Sequence, residues 1–189
     1  MKKAIFLDKE GALIDNRHYN VEPRHITLCD GAGAALRLLA GLDYRFFVVS
    51  NQDGVAHGKF AESALAAVGH RLDDLLFRQQ VQLDGFYYCP HHPDGSVSAY
   101  ARDCDCRKPR PGMLLRAARE HDIDLGQSWM IGDILHDVEA GNRSGCRTTL
   151  IDNGNETEWR LGPFRVPTLV AGDLYRAAVE IAVLDGVAA

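Results

Sequence analysis

Short apolar runs alternating with amphipathic stretches constrain this chain more than any other feature of it. "KAIFL" (3–7), "RFFVVS" (45–50), "DGFYY" (84–88), "SWMIG" (128–132) and "CRTTLI" (146–151) have the length and the β-branched or aromatic content of buried strands. "PTLVA" (167–171) is a weaker sixth. Between them the periodicity predicts helices over 31–42, 60–80, 111–121, 135–144 and 173–184. Asp30 and Gly31 precede the first, Pro111 and Gly112 fall in the first turn of the third, and Asp173 is placed to cap the last. Alternation of this kind builds β-α units around a parallel sheet, so the expected class is α/β.

A chain of 189 residues with 46 % apolar content and no low-complexity tract is about one domain's worth, and residues 1–189 are expected to form a single domain. The net charge of −5 is interspersed, which leaves no basic field to gather nucleic acid or anionic lipid. "MKKAIFLD" has too few apolar residues before Asp8 for a signal peptide, and no later run could span a bilayer. The expectation is a cytoplasmic monomer with no nucleic-acid or membrane partner.

Three of the strands end alike, in a polar residue followed by a loop: "FLDKEG", "VVSNQDG" and "MIGD". In open parallel sheets the ligand sits beyond the carboxyl ends of the strands, so Asp8, Ser50 and Asp133 should converge on one crevice. Two carboxylates from different strand ends suit Mg²⁺, a hard cation that takes oxygen ligands and keeps positions for water and phosphate. The Ser50 hydroxyl and the Lys108 ammonium could hold the remaining phosphate oxygens while an aspartate attacks phosphorus. Any one of these residues could merely cap a loop; together, in this order, they point to phosphoryl chemistry.

Three of the five cysteines lie within residues 89–106. "CPHHPDGSVSAYARDCDC" reads as Cys89-x-His91, twelve residues, then Cys104-x-Cys106. Three thiolates and one imidazole form a closed tetrahedral Zn²⁺ site with no position left for a catalytic water, so the metal would be structural. On spacing alone His92 competes with His91. A long loop rich in Gly, Ser and Asp has little apolar surface of its own and needs such a fastening. A nucleic-acid finger does not fit, because the loop has one arginine and no helix-long basic face, and Lys108 follows Cys106 by two residues. Cys29 and Cys146 read as small buried side chains. His136 could reach the crevice or sit exposed on a first helical turn, and His18, His25, His57, His70 and His121 read as surface residues.

"FLDKEG", "VVSNQ", "CRKPRPGML" and "MIGDILHD" resemble the four motifs of the haloacid dehalogenase superfamily of phosphatases. "VVSNQDGVAHGKF", "DGFYYCPHHPDGSV" and "CDCRKPRPGMLL" resemble the subgroup of heptose-bisphosphate and histidinol phosphatases, and the likeness covers about residues 4–152. It implies a Rossmann-like parallel sheet flanked by helices, a zinc-binding loop over 89–106 and no large cap domain. Asp8 then matches the nucleophile, Ser50 the phosphoryl-binding hydroxyl and Asn51 a neighbour that orients substrate. Lys108 matches the charge-neutralising lysine, Arg107 a substrate contact, Asp133 the Mg²⁺ ligand and Asp137 a second acid with a supporting role. The resemblance selects His91 over His92. It also implies a phosphatase acting on a small phosphorylated sugar, the 7-phosphate of a heptose 1,7-bisphosphate in the first instance and histidinol phosphate in the second.

One position departs from that pattern. Where the family has aspartate as general acid and base, this chain has Glu10; its backbone carbonyl is expected to bind Mg²⁺ regardless of the side chain. The intrinsic acidities differ by only about 0.4 unit, so acid strength is no obstacle. Geometry is: one added methylene moves the carboxyl by more than ~1 Å, and a misplacement of that size can cost on the order of 10²-fold. Lys9 and Ala12 also differ from the commonest family residues, which permits a loop readjusted to the longer acid. The alternative is an impaired homologue that keeps its site to bind a phosphosugar or a partner protein.

Overall fold

The computed structural model describes residues 1–186 and contains one six-stranded parallel sheet. In chain order the strands are β1 (Ala4–Leu7), β2 (Arg45–Asn51), β3 (Gly85–Cys89), β4 (Trp129–Gly132), β5 (Arg147–Ile151) and β6 (Leu169–Ala171). The helices are α1 (Ala32–Ala40), α2 (Ala64–Phe77), α3 (Gly112–His121), α4 (Leu135–Ser144) and α5 (Leu174–Leu184), with short 3-10 turns at Pro23–His25 and Leu125–Gln127. In space the strands run β3-β2-β1-β4-β5-β6, the Rossmann-like order that the motifs implied. Ile5 of β1 is in register with Phe46 of β2 on one side and Trp129 of β4 on the other.

Period-two alternation divides the apolar side chains between two cores. Ile5, Leu7, Phe46, Val48, Trp129 and Ile131 pack with α1, α2 and α5. Ala4, Phe6, Phe47, Val49 and Met130 face the other way, onto Met113, Leu114 and Ala117 of α3 and Ala140 of α4. Phe6 and Phe47 stack with ring centroids 5.4 Å apart, and both are fully buried. Burying a side chain of that size stabilises by roughly 1.5–3 kcal/mol, so the central strands are held firmly from both faces. That fixes the strand ends, where the polar residues begin.

The helix predicted over 60–80 is shorter at both ends. Residues 61–65 close with i→i+3 bonds, Ala64 N–H to the Ala61 carbonyl and Leu65 N–H to that of Glu62. At the far end Gln80 takes a left-handed φ of 62°, and Val81 N–H turns back onto the Leu76 carbonyl. This C-terminal stop drops Val81 into the core. The predicted cap on α5 is present, the Asp173 carboxylate accepting from Arg176 N–H at 2.8 Å. Cys146 is buried, whereas Cys29 is half-buried, as are His57, His121 and His136. Among the described residues no helix is long and apolar enough to cross a membrane.

Candidate active site

Asp8 follows β1 directly, and its N–H continues the ladder to β4 by donating to the Ile131 carbonyl at 2.9 Å. Ser50 and Asn51 end β2, and Asp133 follows β4. The four converge as the strand-end rule requires. Into their midst comes Lys108 from the loop before α3, 3 % exposed, with Nζ 2.5 Å from Asp8 Oδ1 and 2.6 Å from Asp137 Oδ1. It also donates to the Val49 carbonyl at 2.9 Å. Burial would push this ammonium down, but the charges of Asp137 and Asp8 outweigh it and hold it well above the usual lysine range.

Three carboxylates face that single cation. The donor oxygens of Asp8, Asp133 and Asp137 lie within 4.8 Å of one another. Burial, then the charges of Asp8 and Asp137, push Asp133 up to about 7, against the Asn155 hydrogen bond and Lys108. Asp137, fully buried, is pushed up to about 6 by burial and by Asp8, with Lys108 opposing. A divalent cation would relieve this surplus of negative charge, and an all-oxygen donor set suits Mg²⁺ rather than a softer metal. Asp137 is committed elsewhere, one oxygen to Lys108 and the other to Ile134 N–H at 3.3 Å at the start of α4. Asp8 and Asp133 are therefore the carboxylates able to hold the cation.

Around this centre the neighbours are pinned. Ser50 is buried and its hydroxyl accepts from Gln52 Nε2 at 2.8 Å. Asn51 clamps the Lys108 backbone from both sides, Nδ2 donating to its carbonyl and Oδ1 accepting from its N–H, each at 3.0 Å. This reciprocal bond joins the end of β2 to the loop that delivers the lysine. Arg107 bridges Asp53 Oδ2 at 3.1 Å and the His91 carbonyl at 3.3 Å, so it ties the loop after β2 to the cysteine loop.

Glu10 lines a cavity of about 110 Å³ with Asn16, His18, Tyr19, Asn51, Gln52, Asp53 and Gly54. Its Oε1 lies 2.7 Å from the ammonium of Lys9, whose side chain is completely buried. Burial raises the Glu10 carboxyl first and Asp8 adds to this, while Lys9 and Lys108 pull it down; the outcome is above the ordinary glutamate value. A larger cavity of about 530 Å³ lies beside the edge strand β3, against Phe86, Tyr88, Tyr100 and Arg116, away from the carboxylates.

Cys89, His91, Cys104 and Cys106 come together as one cluster. The three Sγ–Sγ separations are 3.1, 3.2 and 3.4 Å, far beyond a disulfide bond, and all three cysteines are free. His91 presents Nδ1 to them, 3.5 Å from Cys106 and 3.7 Å from Cys89. Hydrogen bonds from Cys89 pull the Cys106 thiol down to about 5 against burial, with Cys104 and His91 adding to the effect, so the cluster already favours a thiolate. Three sulfurs and one imidazole nitrogen at these separations fit a closed Zn²⁺ site. His92 stands outside it, its ring tilted against that of His57 with centroids 4.8 Å apart and Nδ1 accepting from Asp94 N–H. With Asp53, those two histidines form another group of metal-type donors. Asp53 also pairs with Arg107 through Oδ2, and His92 Nδ1 is engaged by Asp94 N–H.

Two contributors went unseen in the sequence. Asn155 donates to Asp133 Oδ2 at 2.6 Å, and Asn153 donates to the Gly11 carbonyl at 2.8 Å. The signal was present in "TLIDNGNE", where a fourth apolar run ends in a polar residue and a glycine loop.

A family model described as HAD-hydrolase-like matches residues 105–177. The chain is 42% identical over 151 residues to the D-glycero-beta-D-manno-heptose-1,7-bisphosphate 7-phosphatase of Pasteurella multocida, covering 80% of this chain and 82% of that protein. It is 45% identical over 141 residues to the enzyme of the same name from Haemophilus influenzae, covering 75% and 76%. The crystal structure of D,D-heptose 1,7-bisphosphate phosphatase from B. bronchiseptica, complexed with magnesium and phosphate, superposes with a TM-score of 0.76 at 28% identity, covering 97% of this chain and 99% of that one.

Proposed function

Because the chain belongs to the haloacid dehalogenase-like hydrolases, we propose that it is a phosphomonoesterase that removes the 7-phosphate of D-glycero-D-manno-heptose 1,7-bisphosphate, with residues 1–189 working as one phosphatase domain. The observation that carries this reading is the buried contact of Lys108 with Asp8 inside a cluster of three carboxylates. Such a lysine neutralises charge between a carboxylate nucleophile and the phosphoryl group it attacks.

Asp8 attacks phosphorus through the carboxylate oxygen that Lys108 does not hold, and forms an aspartyl-phosphate as the bond to the sugar oxygen breaks. Lys108 and the Ser50 hydroxyl stabilise the charge on the phosphoryl oxygens. Glu10, lining the adjoining cavity, gives its proton to the departing sugar oxygen and then takes one from the water that hydrolyses the intermediate. Asn51 acts through the Lys108 backbone, and Arg107 at the rim contacts the sugar side of the substrate. Mg²⁺ held by Asp8, Asp133 and the Glu10 backbone carbonyl would add positive charge at the phosphoryl group. Zn²⁺ on Cys89, His91, Cys104 and Cys106 would fasten the loop that carries Arg107 and Lys108 toward the crevice.

The test is phosphate release from a panel of phosphosugars and histidinol phosphate, with and without Mg²⁺. Metal-dependent turnover that favours the heptose 7-phosphate is expected. Preference for histidinol phosphate would reassign the substrate, and release from none of them, with metal still bound, would make the protein a binding homologue.

A further inference from the structure

We propose that Asn155 is a positioning residue for the metal-binding carboxylate of Asp133, carried by a strap over residues 152–156 that holds the nucleophile loop, the Asp133 loop and helix α4 in one arrangement. This rests on the reading above that Asp133 holds the divalent cation. A carboxylate has two oxygens, and Asn155 Nδ2 takes one of them, Oδ2, at 2.6 Å. That bond orients the group and leaves Oδ1 for the cation. Outer partners of this kind set the direction and basicity of the ligand they touch. An aspartate at 155 could not serve, because its carboxylate would face a carboxylate.

The strap is built for this contact. Asp152 N–H is anchored on the Ala171 carbonyl of β6 at 2.8 Å. Asn153 Oδ1 accepts from Asn155 N–H at 3.2 Å, which turns the chain back toward the crevice. The Asn153 amide donates to the Gly11 carbonyl in the nucleophile loop at 2.8 Å. Glu156 Oε2 accepts from Leu135 N–H at 2.6 Å, in the first turn of α4. Gly11 completes the fit: at its left-handed φ of 80°, a Cβ would overlap Asp133 Oδ2 and come within 2.7 Å of Asn155 Nδ2. The glycine thus vacates the space in which the amide and the carboxylate meet.

Mn²⁺ provides the probe, since its paramagnetic resonance signal falls on binding without any need for turnover. In the zinc-loaded full chain, Asn155→Ala and the near-isosteric Asn155→Leu should each weaken Mn²⁺ binding by about 10–100-fold while zinc content stays at the parent value. Asp133→Asn should abolish the site. Parent affinity in both Asn155 variants overturns the positioning role, as does loss of zinc along with Mn²⁺, which would mark a merely structural residue. Parent affinity in Asp133→Asn would instead overturn the metal-site reading beneath it.

Discussion

The completely buried ammonium of Lys9 forms an ion pair with Glu10 Oε1 at 2.7 Å and is otherwise without a polar partner among the described residues. A charge taken out of water is tolerable only with its counter-ion in place. Glu10 therefore does two things: it lines the cavity beside Asn51 and Asp53, and in its ionised form it compensates Lys9. Glu10→Gln should lower phosphatase activity by about 10²-fold or more. It should also destabilise the fold by about 3–5 kcal/mol, read as a lower denaturant midpoint at unchanged slope. Glu10→Asp separates a fitted loop from a misfit one. Shortening the acid by a methylene draws it away from Lys9, so we expect both rate and stability to fall, and a rate increase on restoring aspartate would show that reach limits the parent.

Asp8→Asn is expected to abolish phosphate release while leaving the protein folded. The amide is a poor nucleophile and weakens the pull on the cation. Lys108 keeps the Asp137 carboxylate at 2.6 Å and the Val49 carbonyl at 2.9 Å, so its burial remains compensated. Circular dichroism and zinc content like those of the parent, with no turnover, is the expected pair of results. Substantial remaining turnover would remove Asp8 from the proposed chemistry.

The sheet and its crevice were legible because both follow from local pattern. Apolar runs such as "KAIFL" and "RFFVVS" announce strands, and the polar residue ending each run announces the crevice. The same rule applied to "TLIDNGNE" points to Asp152 and so to the loop that carries Asn153 and Asn155, without singling out either asparagine. Other features were beyond any local reading. That both polar groups of Asn51 are engaged by the Lys108 backbone depends on a partner 57 residues away. Lys9 would be assigned to solvent on residue type, and only the folded loop shows it enclosed with Glu10. Spacing left His91 and His92 open, and the fold separates them by turning His91 Nδ1 to the thiols and His92 to Asp94.

For the cysteine loop we expect one tightly held Zn²⁺ per chain, measured by metal analysis of the purified protein. Cys104→Ser should release the metal and loosen the loop without altering Mn²⁺ binding at the carboxylates, since the two sites use different donors. Chelation should lower the melting temperature of the parent but leave that of Cys104→Ser unchanged. Zinc at well below one equivalent, or a variant that still binds it fully, would count against the assignment.

Asp185, just beyond α5, gives the fold a pH dependence that owes nothing to the cluster of Asp8, Asp133 and Asp137. Its carboxylate takes Lys3 Nζ at 2.7 Å, the Tyr44 hydroxyl at 2.8 Å and Arg147 at 3.4 Å, which joins the end of the last helix to the starts of β1, β2 and β5. Burial pushes Asp185 up, but the hydrogen bonds from Lys3 and Tyr44, together with the charges of Lys3 and Arg147, outweigh it and hold the group below the usual aspartate range. A carboxyl depressed in the folded state binds its proton more readily when unfolded, so its contribution is complete above the unfolded value of about 3.9 and is lost as pH falls through the lower folded value. Asp185→Asn should therefore cost roughly 2 kcal/mol at neutral pH, as expected for losing hydrogen bonds to a charged group. That difference from the parent should shrink as pH falls from about 4, where the unfolded carboxyl takes up its proton, and level off below the folded value, where both states are protonated. Denaturant titrations of the two proteins at pH 7 and at a series of lower pH values measure it directly, and a stability gap that stays constant across the series would show that Asp185 acts through packing rather than charge.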